Sequence, residues 1–239
     1  MRLTILGNNG PFPAPGGATS GYLLTVGETR ICFDLGSGTL SRLTAMTPPE
    51  ELTALVLSHW HYDHCADVLP LIYRLEACAE QPLHVYAPVD ENSLVRKAVQ
   101  SCAKIVLHNV QPGDSLLIGG LQVSVHAARH PVPAVMYRVA GEGKTFCYTG
   151  DTNTVEGLRE FADHADFLLA DGLFTDAAWA EGKPHLSARH VAELAAAACV
   201  RRFVITHLNP AIDPVTLLKE ARSVRLDATL ATIGDAYEV

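Results

Sequence analysis

The sequence predicts an α/β (α+β) fold in which layers of sheet are covered by helices, and three observations predict it. Strand-like apolar runs recur from residue 3 to residue 206, and helical patterns fall between some of them. The first half holds consecutive strands joined by tight turns, whereas the later part alternates helix and strand. Taken in order, the strand runs are residues 3–6, 21–26, 29–34, 54–57, 83–86, 115–118, 121–127, 135–139, 145–148, 167–170 and 203–206. Turn residues Val26-Gly27-Glu28-Thr29 and Gly119-Gly120 join neighbouring runs, and the Gly/Pro-rich stretch from Gly7 to Gly17 reads as a loop between two strands. The helical patterns are 67–79, 90–103, 187–199 with Ser187 as N-cap, and 215–224 behind Pro214. With no repeat, low-complexity tract or charge block, residues 1–239 read as one domain.

Composition narrows the function classes. The chain carries 18 Lys+Arg against 26 Asp+Glu, a formal net charge of −8, and is 48% hydrophobic. Binding along a nucleic-acid backbone runs on Lys and Arg replacing phosphate counterions, so this balance argues against an extended nucleic-acid surface, and any phosphate-bearing substrate needs a local positive source. The longest apolar runs, such as Phe167-Leu168-Leu169-Ala170, are too short to span a bilayer, and Met1-Arg2-Leu3-Thr4 leads into a strand pattern, which predicts a cytoplasmic protein without membrane contact. Six scattered cysteines with no CxxC pair read as small buried hydrophobes in a reducing compartment. Histidine is the outlier, with 11 in the chain.

Their placement carries the chemistry. The segment Ser58-His59-Trp60-His61-Tyr62-Asp63-His64 begins where the run 54–57 ends. If the backbone stays extended there, His59, His61 and Asp63 project to one side and His64 points elsewhere; four such ligands are too splayed for one tetrahedral ion but can be divided between two. His130, Asp151, Asp171 and His207 likewise follow strand-like runs. Imidazole and carboxylate are the ligand types of open catalytic metal sites, and none of the cysteines is needed. Two adjacent divalent ions activate a shared water; with Asp63, Asp151 and a bridging hydroxide they leave a charge of about +1, the local positive source an acidic protein needs. Taken alone, Asp151 reads as a ligand or as a turn residue, and Asp34 as a turn residue or as the carboxylate orienting a ligand histidine. His84, His108, His126, His164 and His190 read as ordinary core or surface residues.

The ordered set His59-x-His61-x-Asp63-His64, His130, Thr149-Gly150-Asp151 and Thr206-His207 resembles the five ligand-bearing motifs of the metallo-β-lactamase superfamily, over a span from Leu6-Gly7 and Asp34-Leu35-Gly36 to His207. The resemblance implies a four-layer αββα sandwich with a dinuclear site at one edge. It implies that His59, His61 and His130 hold the first metal, that Asp63, His64 and His207 hold the second, and that Asp151 bridges them. Without a cysteine ligand between His130 and His207, a true β-lactamase is disfavoured. Ser20-Gly21-Tyr22-Leu23-Leu24, Asp34-Leu35-Gly36-Ser37-Gly38, the stretch from His130 to Arg138, and His185-Leu186-Ser187 are similar to the ribonuclease Z-like branch. By that likeness His185 contacts the scissile phosphate or protonates the leaving group, and Asp171 orients it.

Transfer-RNA-processing members of that branch carry a long arm between the motifs matching His130 and Asp151, whereas here only residues 139–144 separate Arg138 from Thr145. The expectation is therefore a phosphodiesterase acting on a small phosphodiester such as a cyclic nucleotide, through a hydroxide shared by two divalent ions and aimed by Asp63. Zinc suits the histidines, and manganese or iron can occupy such His/carboxylate pairs. The alternatives are hydrolysis of an ester, thioester or lactone, tRNA 3′ processing, and a ligand sensor without turnover. The resemblance also implies a homodimer.

Overall fold

The computed structural model covers residues 1–239 and contains 14 strands in two sheets of seven. The first half of the chain supplies β1 (Arg2–Gly7), β2 (Gly21–Val26), β3 (Thr29–Leu35), α1 (Thr39–Thr44), β4 (Ala54–Val56), α2 (Tyr62–Cys65), α3 (Val68–Cys78), β5 (Leu83–Pro88), α4 (Leu94–Ser101) and β6 (Ile105–Val110). The second half supplies β7 (Ser115–Ile118), β8 (Leu121–Ala127), β9 (Val135–Gly141), β10 (Lys144–Tyr148), α5 (Leu158–Ala162), β11 (Phe167–Asp171), α6 (Ala188–Ala197), β12 (Arg202–Thr206), α7 (Pro214–Arg222), β13 (Thr229–Leu230) and β14 (Ala236–Glu238).

The sheets mirror one another. The first runs β14-β1-β2-β3-β4-β5-β6, antiparallel from β14 to β3 and parallel from β3 to β6. The second runs β13-β12-β11-β10-β9-β8-β7, parallel from β13 to β10 and antiparallel from there to β7. Three apolar clusters of 24, 22 and 21 buried residues fill the space between the sheets and beneath each outer helix layer. Both sheets are thus buried on two faces, which is why strands such as Phe167–Asp171 read as continuous apolar runs instead of alternating ones. The αββα sandwich expected from the sequence is the observed architecture.

All eleven predicted strands and four predicted helices are present, β2, β7 and β8 with the predicted ends and the others with shifted ones. The predicted helix 90–103 loses its first turn because the Asp90 carboxylate accepts from the Asn92 N–H at 2.9 Å, and Ser93 caps the helix instead, accepting from Arg96 N at 3.1 Å. Strands β6, β13 and β14 and helices α1, α2 and α5 have no counterpart among the predicted elements. The β6 strand is an edge with only its terminal residues Ile105 and Val110 buried, and the others are two to six residues long, too short for a period to show. No helix is long and apolar enough to cross a membrane.

The two sheets are tied across their shared core by tyrosines. Tyr22 Oη bonds Thr206 Oγ1 at 2.8 Å, Tyr137 donates to the Leu57 carbonyl at 2.9 Å, and Tyr148 donates to Asp34 Oδ2 at 2.6 Å. All three bonds reach strands, or residues just beyond them, at the edge where β3, β4, β10, β11 and β12 end.

Candidate metal centre

That edge collects the sequence-predicted residues. Asp34 is near the end of β3, the Ser58–His64 segment follows β4, Asp151 follows β10, Asp171 closes β11 and His207 follows β12. His130 lies in the connection between β8 and β9, and His185 just before α6. Carboxyl ends of parallel strands commonly present functional groups in this way. Asp34 (φ 56°) and His207 (φ 57°) both take the left-handed backbone that turns their side chains into the cluster.

The segment after β4 does not stay extended. It turns helical at Tyr62, so Asp63 leaves the side occupied by His59 and His61 and joins His64. The result is two donor sets sharing one carboxylate. His59, His61, His130 and Asp151 form the first, and Asp63, His64, His207 and Asp151 the second. In the first, His61 Nδ1 is 3.0 Å from both His59 Nε2 and His130 Nε2, and Asp151 Oδ2 is 3.7 Å and 4.0 Å from those two nitrogens. In the second, His207 Nε2 is 3.1 Å from Asp63 Oδ2 and 3.3 Å from Asp151 Oδ2, while His64 Nε2 is 3.1 Å from Asp151 Oδ1. Tetrahedral ligands about 2.05 Å from an ion stand roughly 3.3 Å apart, so both sets have the spread an ion needs.

The remaining imidazole nitrogens set the tautomers. The Nδ1 of His64 donates to Asp34 Oδ2 at 2.7 Å, that of His59 to Ser58 Oγ at 3.0 Å, and that of His130 to the Pro184 carbonyl at 3.3 Å. His207 Nδ1 faces Asp171 Oδ1 at 3.5 Å. Four rings therefore turn Nε2 inward, the usual orientation of metal-binding histidines. His64 Nε2 and Asp151 Oδ1, 3.1 Å apart but not aligned for a hydrogen bond, are buried with no other partner, as expected of groups shaped for an ion.

Charge divides the two sets. Burial pushes His59 well below the usual imidazole range and His130 to about 4, leaving neutral rings on that side. On the other side burial also opposes a charged ring, but Asp151, with Asp63 and Asp34 beside His64 and with Asp171 and Asp63 beside His207, draws His64 well above its ordinary value and His207 to about 10. Burial by itself raises Asp151, and the His207 and His64 rings override it and hold the carboxylate ionised. This carboxylate pair calls for positive charge at its centre, a demand that a divalent cation answers.

Beside the shared carboxylate, His185 Nδ1 donates to Asp171 Oδ2 at 2.7 Å and lies 3.8 Å from Asp151 Oδ2. Burial lowers the His185 pKa, but Asp171 outweighs that effect and raises it above the ordinary imidazole value. Glycines make room for the assembly. A Cβ on Gly10 would overlap the His207 ring, and one on Gly36 would overlap the Asp63 carbonyl. The five histidines set aside in the sequence all lie outside these clusters; His84 and His108, for instance, pair with each other at 2.8 Å on an exposed strand edge. No cysteine enters a donor set, and Cys147, its thiol pushed up to about 12 by burial, faces the Phe161 carbonyl.

Three supporting residues escaped the sequence reading. Ser58 and Tyr148 hold Asp34, and their only signal is strand phase, which turns Tyr148 inward. Asn153, fully buried two residues beyond Asp151, sends its amide to the carbonyls of Ala180 (3.0 Å) and Lys183 (2.6 Å) and accepts from Trp179 Nε1 (3.0 Å). It fixes the loop that delivers both His185 and the Pro184 carbonyl, and nothing in its local sequence marks it.

Comparison with known proteins agrees with this fold. A family model, Beta-lactamase superfamily domain, matches residues 29–208. The chain is 30% identical to Probable metallo-hydrolase YhfI of Bacillus subtilis over 245 residues, covering 100% of both proteins. The crystal structure of that protein matches with a TM-score of 0.93, covering 100% of this chain and 98% of the other. A Ribonuclease Z of Haloferax volcanii is 27% identical, with 100% of this chain and 95% of that protein covered. The crystal structure of the short form of human tRNase Z, at 21% identity, shares the fold with a TM-score of 0.82 over 100% of this chain and 99% of that one.

Proposed function

The chain belongs to the metallo-β-lactamase superfamily, and from that premise we propose that it is a metal-dependent hydrolase cleaving a small phosphodiester. One observation carries the reading: the Asp151 carboxylate is common to two donor sets and has the His185–Asp171 pair beside it. In this reading His59, His61 and His130 hold one divalent cation, Asp63, His64 and His207 a second, and Asp151 both, with zinc the ion best suited to so many imidazoles. Two such cations, when bound, make a water nucleophilic near neutral pH and offset the charge that grows on phosphoryl oxygens.

The other tasks fall to the chain's own groups. Asp63 turns Oδ2 toward His207, and its Oδ1 is free to accept a hydrogen bond from the attacking water and aim it. His185, anchored through Nδ1 to Asp171, whose charge favours the protonated ring, has Nε2 free to give a proton to the leaving oxygen. The short β9–β10 junction, where Gly141 pairs with Lys144 across a two-residue turn, leaves no inserted arm there to hold a folded RNA and supports a small substrate.

The test is metal analysis of the purified protein together with hydrolysis of bis-p-nitrophenyl phosphate. We expect about two transition-metal ions per chain, and loss of about 100-fold or more of the activity in His61→Ala. A chain without bound metal, or a His61→Ala variant as active as the parent, overturns the reading. Faster turnover of matched thioesters than of phosphodiesters, with no dependence on His185, would move the substrate to the acyl class.

A further inference from the structure

Positive charge is unevenly placed around the centre. Four cavities, of about 670, 490, 390 and 240 Å³, contain no Lys or Arg. A recess of about 200 Å³ beside His130 is flanked by one of each, Arg129 and Lys183, and has no Asp or Glu in its walls. Arg129 directly precedes His130, a donor of the first set, and Lys183 comes two residues before His185. The two cations therefore sit on the chain segments that deliver a metal-binding imidazole and the proton-donating one.

Both segments are held from one place. Thr152 and Asn153, fully buried, follow the shared carboxylate Asp151. Thr152 Oγ1 accepts from Arg129 N at 2.9 Å, and Asn153 N donates to Arg129 O at 3.1 Å. The Asn153 amide reaches the other wall, donating to Lys183 O at 2.6 Å, and His130 Nδ1 closes the circuit by donating to Pro184 O at 3.3 Å. The two residues after the central carboxylate thus fix the backbone on both sides of the recess, which keeps it in register with the reacting centre.

The charged ends are open to a ligand. Glu181 lies 3.8 Å from the Arg129 guanidinium, but the side chains are 81% and 46% exposed, and a pair of that kind contributes little and yields to a better-placed anion. Lys183 Nζ donates to the Ala178 carbonyl and stands 4.8 Å from the centre of the Phe174 ring, which leaves its ammonium two further donors. The planar fork of an arginine matches two oxygens of a phosphate or carboxylate, and a lysine adds a point charge beside it.

We propose that Arg129 and Lys183 form a subsite for a second anionic group of the substrate, so that the molecule cleaved at the His/Asp cluster carries a further phosphate or carboxylate away from the bond that breaks. The proposal rests on the phosphodiesterase reading only for the identity of that bond. A phosphodiester with a single charge, such as a cyclic mononucleotide, leaves the recess unfilled.

Three series of alkyl p-nitrophenyl phosphates test it, with a chain of two to four carbons that ends in a methyl group, a carboxylate or a phosphate monoester. In all of them a water oxygen adds to phosphorus, the same P–O bond breaks, p-nitrophenolate leaves with the bonding pair, and the water protons pass to solvent. We expect kcat/KM for the best charged ester to exceed that for the methyl-ended ester of the same length by about tenfold or more, against the repulsion set by a net charge of −8. The charged end with the larger gain identifies the second anion. Arg129→Gln and Lys183→Gln, at exposed positions whose backbone bonds they leave in place, should each cut that ratio several-fold and together bring it near one. A parent ratio near one, or a ratio unchanged in the double variant, overturns the subsite while leaving phosphodiester hydrolysis standing. If no ester is hydrolysed, the phosphodiesterase reading fails, and calorimetric titration of the metal-loaded protein with propanediol bisphosphate and with propyl phosphate decides the recess. Tighter binding of the bisphosphate that is lost in the double variant sustains the subsite; equal binding of the two, or a preference that the double variant keeps, ends it.

Discussion

Asp34 shows how much of the centre depends on residues that touch no ion. Its carboxylate, fully buried, accepts from Ser58 N at 2.7 Å, Ser58 Oγ at 2.8 Å, Tyr148 Oη at 2.6 Å and His64 Nδ1 at 2.7 Å. Asn is among the few residues that accept the left-handed backbone found here, so Asp34→Asn isolates the carboxylate from the conformation. An amide must turn its NH₂ toward one of these four donors, and we expect a loss of about 2–3 kcal/mol in stability. Because His64 then loses its anchor, metal affinity measured by chelator competition should fall about 10- to 100-fold. Unchanged melting and unchanged affinity would show that Asp34 is a turn residue and nothing more. The ligand-type residues were legible in the sequence because His and Asp crowded at strand ends have few other uses. Their supports were not, since Ser58, Tyr148 and Asn153 are ordinary residue types whose role exists only once distant strands meet.

At the scale of elements, the strands were legible wherever both faces are buried, as in β11 and β12, and illegible at edges such as β6, where only Ile105 and Val110 are covered. The turn into α2 was hidden for a different reason. Tyr62-Asp63-His64-Cys65 is too short for helical periodicity, yet this one turn moves Asp63 from one donor set to the other. The loop before α6 makes a similar point, because its conformation is imposed by Asn153 from another element. We expect Asn153→Ala to loosen residues 179–184 and let His185 drift. Since p-nitrophenolate departs without a proton whereas an alkoxide needs one, the variant should lose about 10- to 100-fold in kcat on an alkyl leaving group and far less on p-nitrophenyl. Equal losses on both would mean that Asn153 supports the metal cluster, not the acid.

At the scale of the molecule, the last residues of the chain join the two sheets at the end that carries His207. β13 pairs with β12 in one sheet and β14 with β1 in the other, and the segment between them bonds to both, Ala231 N to Ile205 O at 2.7 Å and Ile5 N to Asp235 O at 3.0 Å. The loop after β1 then reaches the site itself: Asn8 Nδ2 donates to Ala231 O at 2.6 Å, Leu208 N to Asn8 O at 2.7 Å, and Gly10 N to Leu208 O at 3.1 Å. Tyr237 is the anchor of this clasp. It is 7% exposed in the cluster between the sheets, packs on Phe167 with ring centres 5.4 Å apart, and carries the Arg202 guanidinium 4.7 Å from its ring. Tyr237→Ala removes a large buried ring and should destabilise the fold by about 3 kcal/mol. In a chain of this size that corresponds to a fall in Tm of about 6–12 °C. Tyr237→Phe keeps the ring and gives up only the bond to Asp235, so it should melt within a few degrees of the parent. The clasp makes a second demand. If it holds the Asn8–Gly10 loop against Leu208, the alanine variant should release metal to a chelator faster than the parent at a temperature where both are folded, and the phenylalanine variant should not. A Tm shift without faster release would show that the clasp stabilises the sandwich without bracing its metal-binding edge.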